Sequence, residues 1–309
     1  MWGQDLGDLP AGLARAAIDS RAEPAARLAA LESLMQLLNA QGFCKPPSMD
    51  DSEAHSELEI HAVAVLASLL AELPSPQATE WWAEVIDEEA EAEESADHAD
   101  KSRAEEALLQ EALDDACRLV QRGGQVCFRL HEAAVQLMQT EAWQAKHGAL
   151  LLLLRLAIRD PEDAQAVETQ AAQEASEAAL SCFSNTSPRV RWAALEVWAR
   201  LLRAGCTAPV DLLGQAPEPL LKLCNDIYTR VRRRGLLVLL FCVGAAPFAV
   251  APLGEKIFRY VLIPQASGDD DSREACRQIA EHLALAKDVP GGYTDEQWHH
   301  LEALVTRAS

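Results

Sequence analysis

The chain has 309 residues, 49% of them hydrophobic and 24% charged, with 48 acids against 27 Lys and Arg and a net charge of -21. Collagen-like and wholly disordered chains do not have this balance. So acidic a chain also opposes free binding to a nucleic-acid backbone, which needs clustered positive charge.

Length alone allows two globular domains or one continuous solenoid. Aromatics are only 5%. Abundant Ala and Leu beside few aromatic and β-branched residues favour helix over sheet. The N-terminal MWGQDLGDLP is acidic and lacks an apolar core, so it does not read as a signal peptide. Helical periodicity begins with LAALESLMQLL at 28–38 and HAVAVLASLLAEL at 61–73, where apolar residues recur at i, i+3, i+4 and i+7. Between Pro46 and Asp100 stand 16 acids and no Lys or Arg. Eight of those acids fall in the run Glu84 to Asp97.

This run has two readings. It is a disordered insertion over 84–104, kept extended by its own repulsion, or it is a contact for a basic surface through Asp87, Glu88, Glu89, Glu91, Glu93, Glu94 and Asp97. Trp81 and Trp82 precede it and suit core packing, an anchor for the run or a contact with a partner.

Beyond it come EEALLQEALDDACRLV at 105–120, a Gly123-Gly124 turn and VCFRLHEAAVQLM at 126–138. Three segments then share one plan: a short turn, a basic or aromatic cluster, an apolar run. They are TEAWQAKHGALLLLLRLA from Thr140, NTSPRVRWAALEVWARLL from Asn185 and NDIYTRVRRRGLLVLLFC from Asn225, with DDSREACRQIAEHLALA from Asp270 a weaker fourth. Aligning Ala145, Val190, Val231 and Cys276 gives steps of 45, 41 and 45 residues. A second apolar helix precedes each segment, as in SEAALSCF, PEPLLKLC and KIFRYVLI. Two helices per period in the low forties is the register of HEAT and armadillo arrays. The predicted fold is therefore all-α, a HEAT/armadillo-type α-solenoid of about six helix pairs over 1–309, with small residues at Ala149, Ala194 and Gly235 permitting close helix approach.

Gly235 to Gly254 is a run of 20 uncharged residues behind Arg230, Arg232, Arg233 and Arg234, long enough to be weighed as a membrane span. Gly244, Pro247 and Pro252 argue instead for a buried helix that ends in a loop, and no membrane partner is expected. The eight cysteines are scattered without a C-x-x-C pair, which suggests a reducing compartment and no disulfides. Phosphate-binding glycine loops, H-E-x-x-H and G-x-S-x-G are absent, and the His residues are dispersed, so neither an enzyme nor a metal or other cofactor is expected. The arginines at the starts of the second helices oppose the helix dipole. Either acids in the neighbouring turns compensate, with Arg191 and Arg232 facing Asp226 and Asp270 in a ladder, or the arginines meet an acidic partner or the chain's own acidic run. Trp143, Trp192 and Trp198 suit core or inter-repeat contacts.

SPRVRWAALEVWARLL at 187–202 looks like the second helix of a HEAT repeat, and EAWQAKHGALLLLLRLA at 141–157 adds Trp143 and Lys-His-Gly-Ala. Together with the acidic run and the Gly-Gly turn, in that order, these segments resemble the central repeats of the β-karyopherins, the nuclear transport receptors, especially of the importin β-3 (importin-5) type. The similarity spans roughly 25–286, as in a fragment or divergent relative. It implies a monomeric protein-binding scaffold that takes cargo with basic segments, meets the GTPase Ran and nucleoporins, and works in cytoplasm and nucleus. The acidic run would then contact Ran or gate basic cargo. The rival expectation is a HEAT or armadillo scaffold of some other complex.

Overall fold

The computed structural model describes residues 9–19, 21–43, 49–73, 96–122, 125–158, 167–265 and 268–286, with residues 296 and 299. They are helical, with no strand among the described residues beyond isolated bridges at Ile158 and Val167. The chain divides into two compact units, 1–159 and 160–309.

The first unit holds α1 (Leu9–Ile18), α2 (Pro24–Phe43), α3 (Met49–Glu72), α4 (Ala96–Arg122), α5 (Gln125–Met138) and α6 (Trp143–Ala157). They pack as three pairs. First helices touch first helices, α1 on α3 on α5, and second helices touch second helices, α2 on α4 on α6. Each helix thus buries an apolar face whose width follows its number of neighbours, and the sequence supplies it. On α5 the buried residues are Val126, Leu130, Ala134 and Leu137, a single stripe. On α6 Ala145, Gly148, Ala149, Leu152, Leu153, Leu156 and others are buried, a stripe wide enough for neighbours on both sides. Each fully buried Leu contributes about 1.5–3 kcal/mol by leaving water. Gly148 is where α6 comes closest to α3, since a Cβ there would lie 2.5 Å from the Leu70 carbonyl oxygen. The buried Arg27 ties three helices together: its Nε donates to the Ala17 carbonyl at 2.9 Å and its Nη2 to Glu72 at 3.1 Å.

The second unit repeats the plan with α7 (Thr169–Cys182), α8 (Pro188–Arg203), α9 (Ala208–Gln215), α10 (Glu218–Leu223), α11 (Thr229–Ala245), α12 (Pro247–Gln265) and α13 (Asp270–Ala284). Here α9 and α10 together form one first helix, broken at Pro217. Helix α12 includes a 3-10 turn at Ala251–Leu253 and a π turn at Phe258–Leu262, beside Pro252 and Pro264. The second helices α8, α11 and α13 stack on one another. Pro188 opens α8 at a position where its missing N–H costs nothing. A Schellman turn closes it: Gly205 takes φ +80, its N–H reaches the Leu202 carbonyl at 3.0 Å, and the Cys206 N–H reaches Leu201 at 2.9 Å. Between α7 and α8, Trp198 is fully buried, edge-on to Phe183 at 4.8 Å, and its indole N–H donates to the Ser176 carbonyl at 3.0 Å.

The uncharged run at 235–254 is divided between α11 and α12, which meet at 113° at Pro247. No single helix among the described residues is long and apolar enough to cross a membrane. Of the expected insertion at 84–104, residues 84–95 lie outside the described residues, and from Ala96 onward the chain is the start of α4. Trp81 and Trp82 also lie outside them.

Candidate functional site

The polar groups of the second unit converge on the turns before its second helices. Before α8, the Asn185 side chain accepts a hydrogen bond from the Ser187 N–H at 2.9 Å. Before α11, Asp226 does the same for the Tyr228 N–H at 3.0 Å. Both are Asx turns, which Asn and Asp form because the short side chain reaches the backbone two residues on. Arg191, one turn into α8, donates to the Asn185 and Thr186 carbonyls, both at 2.9 Å. It then reaches Asp226 of the next turn with two bonds, Nε at 2.7 Å and Nη2 at 2.9 Å. The side chains of this bidentate pair are 12% and 7% exposed, so each charge depends on the other. Arg232 repeats the pattern in α11, donating to the Asp226 carbonyl at 3.0 Å.

The next rung corrects the sequence expectation. Arg232 faces Asp269, at 3.6 Å, and not Asp270. The reason is capping. Asp269 is the N-cap of α13 and accepts from the Ser272 N–H at 3.0 Å and its hydroxyl at 3.1 Å, which aims the carboxylate back at α11. Asp270 is already inside the helix and pairs with Arg273 on the exposed side. Burial by itself would raise the Asp269 carboxyl, but the Ser272 bonds and the Arg233 and Arg232 charges hold it below the usual carboxylate range.

A second set of contacts was not anticipated. On α8, Glu196 is shared by Arg200 of its own helix, at 2.7 Å, and by Arg234 of α11. Arg234 also lies over the Trp192 ring, 5.6 Å from its centroid, and burial lowers its pKa. Arg203 lies over Phe241 at 4.9 Å. Between α10 and α12, the buried Gln265 donates to the Cys224 carbonyl at 3.1 Å and to Asn225 at 2.8 Å. Leu221, Lys222, Asn225 and Tyr260 line a cavity of about 330 Å³ beside them, with the Lys256–Glu218 ion pair at 2.8 Å on its wall. The sequence signal for Glu196 and Arg203 was their spacing along one face of α8 with Trp192 and Arg200, which a search for turn acids passes over.

In the first unit, Trp143 is the first residue of α6 and half-buried, its ring 6.5 Å from that of the buried His147. Asp87, Glu88, Glu89, Glu91, Glu93 and Glu94 lie outside the described residues, and Asp97 is placed only as part of the first turn of α4. The seven described cysteines are thiols outside any disulfide. Burial pushes Cys242 and Cys276 up to about 12 and Cys224 well above its ordinary value, so these thiols are neutral. No group of three or more His, Cys, Asp or Glu among the described residues could hold a metal ion.

No protein-family model matches the chain, and no characterised protein matches it by sequence. Solved structures do. The karyopherin Kap121p bound to the extreme C-terminus of the protein phosphatase Cdc14p matches with a TM-score of 0.55 at 12% identity, over 97% of this chain and 31% of that one. The fold is that of the karyopherin HEAT solenoids. Kap121p bound to the SUMO protease Ulp1p gives 0.55 at 13% identity over the same shares. Kap121p bound to Nup53p gives 0.55 at 14%, over 98% of this chain and 31% of its own. The chain thus spans about a third of the karyopherin that it matches, and at this identity the likeness concerns the fold alone.

Proposed function

We propose that this chain is a HEAT-repeat protein-binding scaffold of the nuclear transport receptor, importin β-like kind, nearest to the importin β-3 (importin-5) type. It mediates nuclear import of protein cargo with basic segments, and Ran regulates release. The observation that carries the reading is the correspondence of nearly the whole chain with the karyopherin Kap121p, solved bound to the extreme C-terminus of the protein phosphatase Cdc14p, to Nup53p and to Pho4p. The ordered succession of acidic run, Gly-Gly turn, Trp143 helix and Arg189 helix supports it.

The mechanism is electrostatic and mechanical, without an enzymatic step or cofactor. The eight acids of Glu84 to Asp97 attract a basic segment, which speeds encounter and weakens with salt. Stacked helix pairs form one array over 1–309 that bends at many small interfaces, so a GTPase bound along it changes its curvature and frees the cargo. The chain works as a monomer, in cytoplasm and nucleus, and meets nucleoporins during passage. The ladder of Arg191–Asp226 and Arg232–Asp269 is structural and keeps successive pairs in register.

A pull-down tests this. The immobilised full chain is expected to retain GTP-loaded Ran or a basic localisation peptide, and to lose it when the acids from Asp87 to Asp97 become Asn or Ser. If neither is retained, the transport role is wrong and a scaffold of another complex takes its place.

A further inference from the structure

Helices α8 and α11 run against the charge of the whole molecule. Together they carry eight arginines and a single acid, Glu196, in a chain whose net charge is -21. Arg191 and Arg232 are committed to the turns, and Arg233 is met by Asp269 at 3.5 Å and Asp271 at 3.0 Å. Arg200, Arg203 and Arg234 have no such balance. Glu196 is one carboxylate between two guanidiniums, those of Arg200 and Arg234. One turn further along α8, Arg203 is exposed, and its partner among the described residues is the Phe241 ring, with no carboxylate. On α13, Glu274 and Glu281 are taken up by Arg277 of the same helix.

We propose that this face, centred on Arg200, Arg203 and Arg234 with Trp192 and Phe241, binds an acidic peptide segment of a partner protein. The Phe241 ring behind the exposed Arg203 fixes its guanidinium plane and leaves N–H edges to point outward, while Arg234, over Trp192 and against Glu196, adds its charge from a more buried position. Such forks match carboxylates bidentately, and Glu196 already shows a carboxylate seated between two of them. The two excess charges fit a segment with at least two carboxylates. Nucleic acid is the poorer occupant, since its dense charge is repelled by the acidic chain over the longer reach of a duplex or strand. The site uses none of the residues of the acidic run invoked for basic cargo, and either proposal can fail alone.

Fluorescence anisotropy with the full chain and a labelled Glu-Ser repeat peptide provides the test, with a Gln-Ser peptide as control. Expected is binding to the Glu peptide at low salt, at least tenfold weaker for the Gln peptide and at least tenfold weaker for R200E/R203E. Phe241→Leu, which keeps apolar bulk but removes the ring, is expected to weaken binding a few-fold with an unchanged helical circular dichroism spectrum. The double variant is expected to hold a basic peptide as the parent does. Equal binding of the Glu and Gln peptides, or an R200E/R203E variant that folds and binds unchanged, overturns the proposal. Tighter binding of a single-stranded oligonucleotide than of the Glu peptide, lost in the same variant, overturns it in favour of nucleic acid.

Discussion

Asp226 does two things at once: it closes its own turn and neutralises Arg191 of the preceding repeat. Its loss leaves a guanidinium that is 12% exposed without a counter-charge. Asp226→Ala is therefore expected to cost about 2–4 kcal/mol in urea unfolding, since breaking a buried pair costs more than the pair contributes net. Arg191→Met with Asp226→Leu should recover a good part of that loss, because two apolar side chains leave no orphaned charge. Asp115 of α4 shows the opposite economy. Burial raises its carboxyl from 3.8 to about 6, against the lowering effect of its bond to Arg118. A raised acid binds more protons folded than unfolded between those two values, so its contribution favours the fold as pH falls from 7 through 6 and levels off below about 4. Asp115→Asn is expected to raise stability at pH 7 by on the order of 1 kcal/mol and to flatten the pH dependence between 4 and 7, as read from melting temperatures. Asp269, held low, works in the other direction: its stabilisation is present above the ordinary carboxylate pKa and is lost as pH drops through its folded value.

At the scale of elements, the second helices are recognisable in sequence because each must satisfy several neighbours. The buried set of α8, from Val190 through Trp198 to Leu202, covers most of its circumference and leaves Arg200 and Arg203 to solvent. First helices such as α5 need a narrower stripe and show it. The closest packing depends on one missing side chain. Gly148→Ala places a methyl 2.5 Å from the Leu70 carbonyl oxygen and 2.7 Å from its Cβ. The backbone of α3 cannot turn away as a long side chain would, so the helices must separate. Overpacking of this kind costs about 1–3 kcal/mol, against a gain of about 1 kcal/mol in helix propensity. The expected net result is a lower urea midpoint, with the circular dichroism of the native state unchanged. An unaltered or higher midpoint would show that α3 and α6 are free to move apart.

For the whole molecule, charge is segregated. A net charge of -16 lies between Pro46 and Asp100, leaving -5 for the rest of the chain. Within that nearly balanced remainder the α8–α11 face is basic. A chain with this distribution can offer charge of opposite sign to different partners, as the proposed binding role requires. Repeats suit that task because each pair carries its own exposed residues while its buried ones preserve the stack.

Composition, periodicity and the steps of 45, 41 and 45 residues were enough to determine an all-α HEAT-type fold and its about six pairs, because each pair must bury the same faces again and again. The Arg191–Asp226 pairing was also legible, since turn and helix stand in fixed register. Whether Asp269 or Asp270 meets Arg232 was not legible: three consecutive aspartates look alike until the helix start makes one of them the cap. Nor could the sequence place Arg234 on Glu196 or Arg203 on Phe241, residues about 38 apart that meet only when α8 and α11 stack. Local spacing specifies which face of a helix is apolar, whereas which charges share a surface depends on how two helices are rotated against each other, and packing alone decides that.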